Sequence, residues 1–253
     1  MIEWVIPLAF TAVAAFVIWT MPRYIIAFGG GSDALKARYP GASVTDLGIL
    51  ALLPILLLIG VFTVRTAALE RPGLWGLDRL SLFVGRVVMV LIALLVSVMF
   101  YEGVLRYVFE APTLWANELS LWLAGFVFLF SGLYAMRERA HIRIYILYDL
   151  FPRWLQKTCD VISTGLICAF AVAILWGGWN EAYAKFFRWE TFGTAFDPPI
   201  PATMKPILIL GVFLVALQAV SSLIADWNRR EEHSPIEDAE EIALLRPRYR
   251  RPD

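Results

Sequence analysis

The sequence predicts an all-α polytopic membrane protein with about six transmembrane helices, and three observations carry that expectation. Four apolar runs, at residues 87–101, 119–136, 161–180 and 206–225, hold almost none of the chain's charges. With its flanks, each approaches the roughly 20 residues that a helix needs to cross ~30 Å of hydrocarbon. Two more runs, 4–21 and 47–64, precede them. The composition agrees: 59% apolar, 17% charged and a mean hydropathy of +0.67, against about 25% charged residues in soluble domains. The charges are also sorted by connection. Stretches 65–86, 137–157 and 227–253 hold 15 of the 22 Lys and Arg, and the alternate connections hold 7. The positive-inside rule then places both termini in the cytoplasm.

The elements follow in order. Run 4–21 is expected to be a retained helix, because Glu3 stands where a secretory signal needs positive charge and no small-residue cleavage pattern follows. It pairs with run 47–64 through a loop containing Gly29-Gly30-Gly31-Ser32-Asp33, an irregular stretch by its glycines. Residues 69–81 read as a linker. Trp75 among Leu74, Leu77 and Leu80 suggests a short segment on the membrane surface. Four core spans come next. Their connections are a short one broken by Pro112, a basic one ending Phe151-Pro152-Arg153-Trp154, and a longer one containing Asp197-Pro198-Pro199-Ile200-Pro201. Those prolines argue against helix there. In the tail, Ser234-Pro235-Ile236-Glu237 is a capping-box pattern. Residues 236–245 are thus either a short helix or part of a solvated segment. The domain division is 1–78, 79–228 and 229–253, with no internal repeat of 20–50 residues.

Enzymatic chemistry is poorly supplied, and no catalytic, cofactor-binding or metal-binding residue is expected. The two histidines, His141 and His233, lie outside the spans, whereas a membrane cytochrome needs paired histidines within them. No HExxH, P-loop or GxSxG motif occurs. Cys159 and Cys168 are nine residues apart on one helix and cannot form a disulfide, so both read as buried small apolar residues. A self-sufficient transporter would show broken helices or ionisable residues at mid-depth. The spans read as unbroken, and Arg86 and Glu102 stand near helix ends where both can snorkel. Such helices are built to pack against other helices.

Three groups of residues qualify as structural or interface candidates. Gly165, Ala169, Ala173 and Gly177 recur every four residues and make a small-residue ridge that lets another backbone approach. Glu102 and Arg106 are neighbours on one helix face, followed by Pro112, Trp115 and Glu118. Glu118 could reach back to Arg106 and form a salt-bridge latch, in which Arg106 would matter more than Glu102. Trp115 and Trp122 read as interfacial anchors. The third group runs from Arg137 through His141 to Arg143. It is either a positive anchor on the helix end or a docking surface.

Taken together, residues from about 82 to 226 resemble the small membrane subunit (DctQ type) of tripartite ATP-independent periplasmic (TRAP) transporters. The resemblance rests on an ordered series. It comprises Arg106-Tyr107-Val108-Phe109, then Pro112-x2-Trp115-x2-Glu118, the apolar run 125–135, Arg137-x3-His141-Ile142-x-Ile144, and Asp149-x2-Pro152. A proline-bearing connection precedes the last span. The resemblance implies a four-helix DctQ-like core, to which residues 1–78 add an N-terminal two-helix extension. It also implies a scaffold subunit in the bacterial inner membrane. Its partners would be a large DctM-type membrane subunit and a periplasmic substrate-binding protein, in a system importing organic acids with sodium coupling. Membrane lipid is a further expected partner; nucleic acid is not. The competing readings are a stand-alone secondary transporter and, behind it, a membrane enzyme or redox subunit.

Overall fold

The computed structural model describes residues 2–67, 70, 76–138 and 151–227, and the described residues form helices and their connections without a strand. The helices are α1 (Ile2–Ala27), α2 (Asp33–Arg38), α3 (Val44–Thr63), α4 (Gly76–Val108), α5 (Ala116–Arg137), α6 (Arg153–Arg188) and α7 (Ile200–Asp226). All but α2 are long and apolar enough to cross a membrane. At ~1.5 Å per residue, the 33 residues of α4 and 36 of α6 exceed the hydrocarbon thickness, so their ends project or the helices tilt.

Local chemistry sets the boundaries. Gly29 and Gly31 end α1 with φ of 79° and 87°, a left-handed backbone that only glycine adopts freely. Ser32 then caps α2 by accepting from the Leu35 N–H, a short helix that the loop expectation missed. Ser43 and Asp46 form a reciprocal capping box at the start of α3.

Residues 76–81, read as linker, are instead the first turns of α4, with Ser81 and Leu82 fully buried; Leu74 and Trp75, which carry the surface-segment expectation, lie outside the described residues. The proline-rich stretch is helical from Ile200, because Pro201 falls in the first turn, where the N–H it lacks would have no partner. Cys159 and Cys168 are half-buried free thiols rather than core residues. The tail segment 236–245, His141 and His233 lie outside the described residues.

The four core helices form a row rather than a closed bundle. Contacts run from α4 to α5, from α5 to α7 and from α7 to α6, while α4 meets α7 only slightly. Helix α6 stands at one edge with α7 as its main neighbour. The N-terminal pair packs at the other edge, with α1 against α3 and α4. The principal core gathers Phe83, Val87 and Leu91 of α4 with Trp122, Leu123 and Phe126 of α5, and Ile6, Phe10 and Ile18 of α1 pack onto it. At its far end α1 leaves α4: Ile25 and Met21 pack with Phe186 and Phe187 in the last turn of α6 and with Trp189 that caps it. The first helix therefore crosses one broad side of the row.

The extension meets the core through one close approach. A Cβ at Gly60 of α3 would stand 2.1 Å from the Phe83 ring, which also meets Phe10 in a T-shaped pair at a centroid distance of 5.4 Å. Only a glycine leaves room for α3 there. Gly60→Ala is expected to cost about 1–3 kcal/mol by overpacking, read as a lower Tm in detergent. Gly48→Ala, with nothing within 4 Å of the new methyl, is the control expected to leave Tm unchanged.

Candidate functional site

Hydrocarbon offers polar groups no partner, so the polar side chains of these helices show where the chain has committed its hydrogen bonds. They collect at the two ends of the row.

At one end Glu102 of α4 is the hub. Its side chain is 6% exposed, and Oε1 accepts from Arg106 Nε at 3.1 Å and Nη2 at 2.6 Å. Its other oxygen accepts from the Thr113 backbone N–H at 3.1 Å and from the Thr113 hydroxyl. The carboxylate thus ties the end of α4 to the connection that leads into α5. Arg106, 49% exposed, touches only the near side of this hub. Glu118 does not close the latch as expected. Although it sits in the first turn of α5, it accepts from the Thr194 hydroxyl at 2.5 Å and so pins the α6–α7 connection instead. Arg106 is instead held by both its Nε and Nη2 on Glu102 of its own helix, and the Thr194 hydroxyl is the partner within reach of Glu118. Trp115 stacks on Tyr101 at 6.2 Å, again joining the two ends of one connection. Trp122 is not an interfacial anchor. It is 8% exposed and donates from Nε1 to Thr203 Oγ1 at 2.8 Å, bridging α5 and α7.

The opposite end holds a centre that sequence reasoning missed. Glu70, in the segment between the extension and the core, has a side chain only 5% exposed. Arg86 Nη2 lies 2.8 and 2.9 Å from its two oxygens, the Tyr134 hydroxyl donates to it at 3.2 Å, and the Ala67 N–H donates at 2.7 Å. Arg86 therefore does not snorkel; it is spent on Glu70. A Cβ at Gly85 would stand 2.6 Å from the Tyr134 ring, so that glycine is what lets α5 bring the phenol in. The only signal in the sequence was a lone glutamate beside Arg71-Pro72, indistinguishable from a solvated linker charge. Nearby, Gln218 of α7 is 1% exposed; it accepts from Ser81 Oγ at 2.9 Å and donates to Asp78 Oδ1 at 2.8 Å. Arg137 closes α5, buried and ion-paired with Glu138.

The ridge on α6 is real as a surface and different in use. Gly165, Ala169, Ala173 and Gly177 are all exposed, and nothing lies within 4 Å of a Cβ placed at Gly165 or Gly177. The contact with α7 uses Gly178 against Ile209, with Ala171 and Ala182 buried on the same side.

Residues 95–229 match the family model for the DctQ component of tripartite ATP-independent periplasmic transporters. The chain is also 26% identical over 106 residues to a C4-dicarboxylate TRAP transporter small permease protein DctQ from Vibrio cholerae serotype O1. That match covers 42% of this chain and 45% of the relative's length, so the chain spans about half of the relative it resembles. No solved structure matches the chain.

Two measurements test the hubs. Glu70→Met is expected to lower stability by about 3 kcal/mol, because it leaves Arg86 buried without its partner. Adding Arg86→Met should recover most of that loss in a double-mutant cycle. At the other end, Glu102→Ala is expected to lower Tm by a few degrees more than Arg106→Ala, the reverse of the order expected from the sequence. Thr113 keeps Glu102 engaged when Arg106 is lost, but nothing replaces the carboxylate.

Proposed function

Because the chain belongs to the DctQ component family of the tripartite ATP-independent periplasmic transporters, we propose that it is the scaffold that holds a larger permease subunit in place during secondary active transport. Membership makes it a transmembrane small permease subunit, in a family of transporters rather than enzymes. The finer reading is that it works with a DctM-type large subunit and a periplasmic binding protein, importing organic acids by coupling to sodium. The relative's dicarboxylate substrate is that protein's own and indicates only the class.

One observation supports a scaffold over a self-sufficient carrier: its central ionisable and amide side chains are committed inside the chain. Glu70 and Arg86 hold each other, Glu102 is shared by Arg106 and Thr113, and Gln218 is used by Ser81 and Asp78. A solute path needs groups that exchange partners with a passing ion or carboxylate. These groups are engaged by neighbours that belong to the fold. In this reading the Glu102 end faces the periplasm and the Glu70 end the cytoplasm, in keeping with the distribution of Lys and Arg.

The test is assembly and transport together. Co-expressed with a DctM-type large subunit from the same source, the tagged chain should bring that subunit through detergent purification. Vesicles holding only this chain should accumulate no solute under a sodium gradient, and vesicles holding both subunits plus the binding protein should. Uptake by the chain alone would replace the proposal with a stand-alone transporter.

A further inference from the structure

At the Glu70 end of the spans, three cations are used inside the chain. Arg86 holds Glu70, Arg137 pairs with Glu138, and Lys157 lies over the Trp227 ring at 4.7 Å. Arg65 and Arg79 are not used in this way. Arg65 follows the end of α3 and is exposed, and its side chain has no partner among the described residues. Arg79, near the start of α4, donates from Nη1 to the Phe62 carbonyl at 3.5 Å and meets no carboxylate among the described residues. Its neighbour Asp78 receives Gln218 of α7.

The Arg79 guanidinium and Arg65 stand at one place, the end of α3. Phe62, the residue that Arg79 reaches, is three positions before Arg65. The Arg65 carbonyl in turn accepts from Arg86 Nη2 at 3.5 Å. A helix C-terminus ordinarily repels anions. Here arginines of α4 sit on carbonyls of the last turn of α3 and just beyond it, so this helix end presents positive charge. An apolar track leads away from it. Leu57 and Val61 turn one flank of α3 to the core, while Ile59 and Leu52, seven residues apart, stand exposed on the other. That flank lies within the spanning helix and so passes from the charged end into hydrocarbon.

We infer that the end of α3 and α4 marked by Arg65 and Arg79 is a binding site for one anionic phospholipid. The phosphate rests on the two guanidiniums, and an acyl chain follows Ile59 and Leu52. Guanidinium donors in a planar fork match phosphate oxygens, and basic pockets between spanning helices take anionic headgroups. A soluble anion would use only the charged half of this site. A zwitterionic lipid brings an ammonium that the two arginines oppose. The site depends on the spans and their charges alone, so it goes beyond the scaffold role and does not require it.

The test uses the purified full chain in detergent, titrated with phosphatidylglycerol and followed by native mass spectrometry. The chain should retain one lipid molecule at concentrations where phosphatidylcholine with the same acyl chains is not retained. Arg65→Gln with Arg79→Gln is expected to weaken that retention about tenfold, and Arg65→Lys with Arg79→Lys should keep most of it. Arg65→Gln alone removes no side-chain contact of the fold and should weaken retention about threefold, which keeps the test decisive should the double variant fail to fold. Lys157→Gln at the same end should leave retention unchanged. Phosphatidylglycerol should also raise the Tm of the unaltered chain, and inorganic phosphate should not. Equal retention of the two lipids, undiminished retention in Arg65→Gln, or an equal rise in Tm with inorganic phosphate overturns the inference.

Discussion

Removing water from around a helix leaves every charge on it to be answered by another part of the protein, and two buried carboxylates of this chain answer Arg86 and Arg106 while tying helix ends together. Glu70 gathers Arg86, Tyr134 and the Ala67 N–H, so one side chain joins the segment after α3 to both α4 and α5. Glu102 gathers Arg106 and Thr113 and closes the far connection between the same two helices. Between them the packing is apolar, with Val87 and Leu91 of α4 against Trp122, Leu123 and Phe126 of α5. An unanswered charge in these positions would cost several kcal/mol, more than a typical interhelical hydrogen bond of ~0.6 kcal/mol returns in lipid. The hubs therefore act less as sources of stability than as constraints on which helix must lie beside which.

That constraint explains why the extension is integral to the fold. Helix α3 approaches α4 where Gly60 admits the Phe83 ring, and Glu70 then seals the return of the chain into α4. Helix α1 begins against the same Phe83 and ends against the aromatic cluster at Trp189. Trp189 is held in a left-handed conformation, φ 48°, inside that cluster, so tertiary packing and not local preference ends α6. A row of helices has two exposed sides. Spending one of them on α1 leaves the other, with the α6 edge, without a covering helix among the described residues.

The sequence was enough for much of this. Apolar runs of spanning length determined six membrane helices, because no other backbone arrangement of that polarity is tolerated in lipid. The ordered series around Arg106, Trp115 and Glu118 pointed to the family. It could not say what those residues touch. Glu118 in a first helical turn looks poised for the nearest arginine, yet a threonine of a distant connection takes it. Trp122 resembles a membrane-interface residue by type and depth, and is buried because Thr203 of α7 is there to receive its N–H. Glu70 carried no pattern at all.

Hydropathy and length act residue by residue along the chain, so the sequence alone determined the number of spans and their apolar character. Which neighbour each helix chose is a different kind of fact. It depends on a glycine at 60 facing a ring at 83, on a glutamate at 70 reaching an arginine 16 residues on, and on small residues at 171, 178 and 182 rather than 165, 169, 173 and 177 meeting α7. The tertiary structure decided these because close approach and hydrogen bonding in a membrane depend on what stands opposite, and opposition is a property of the packed molecule.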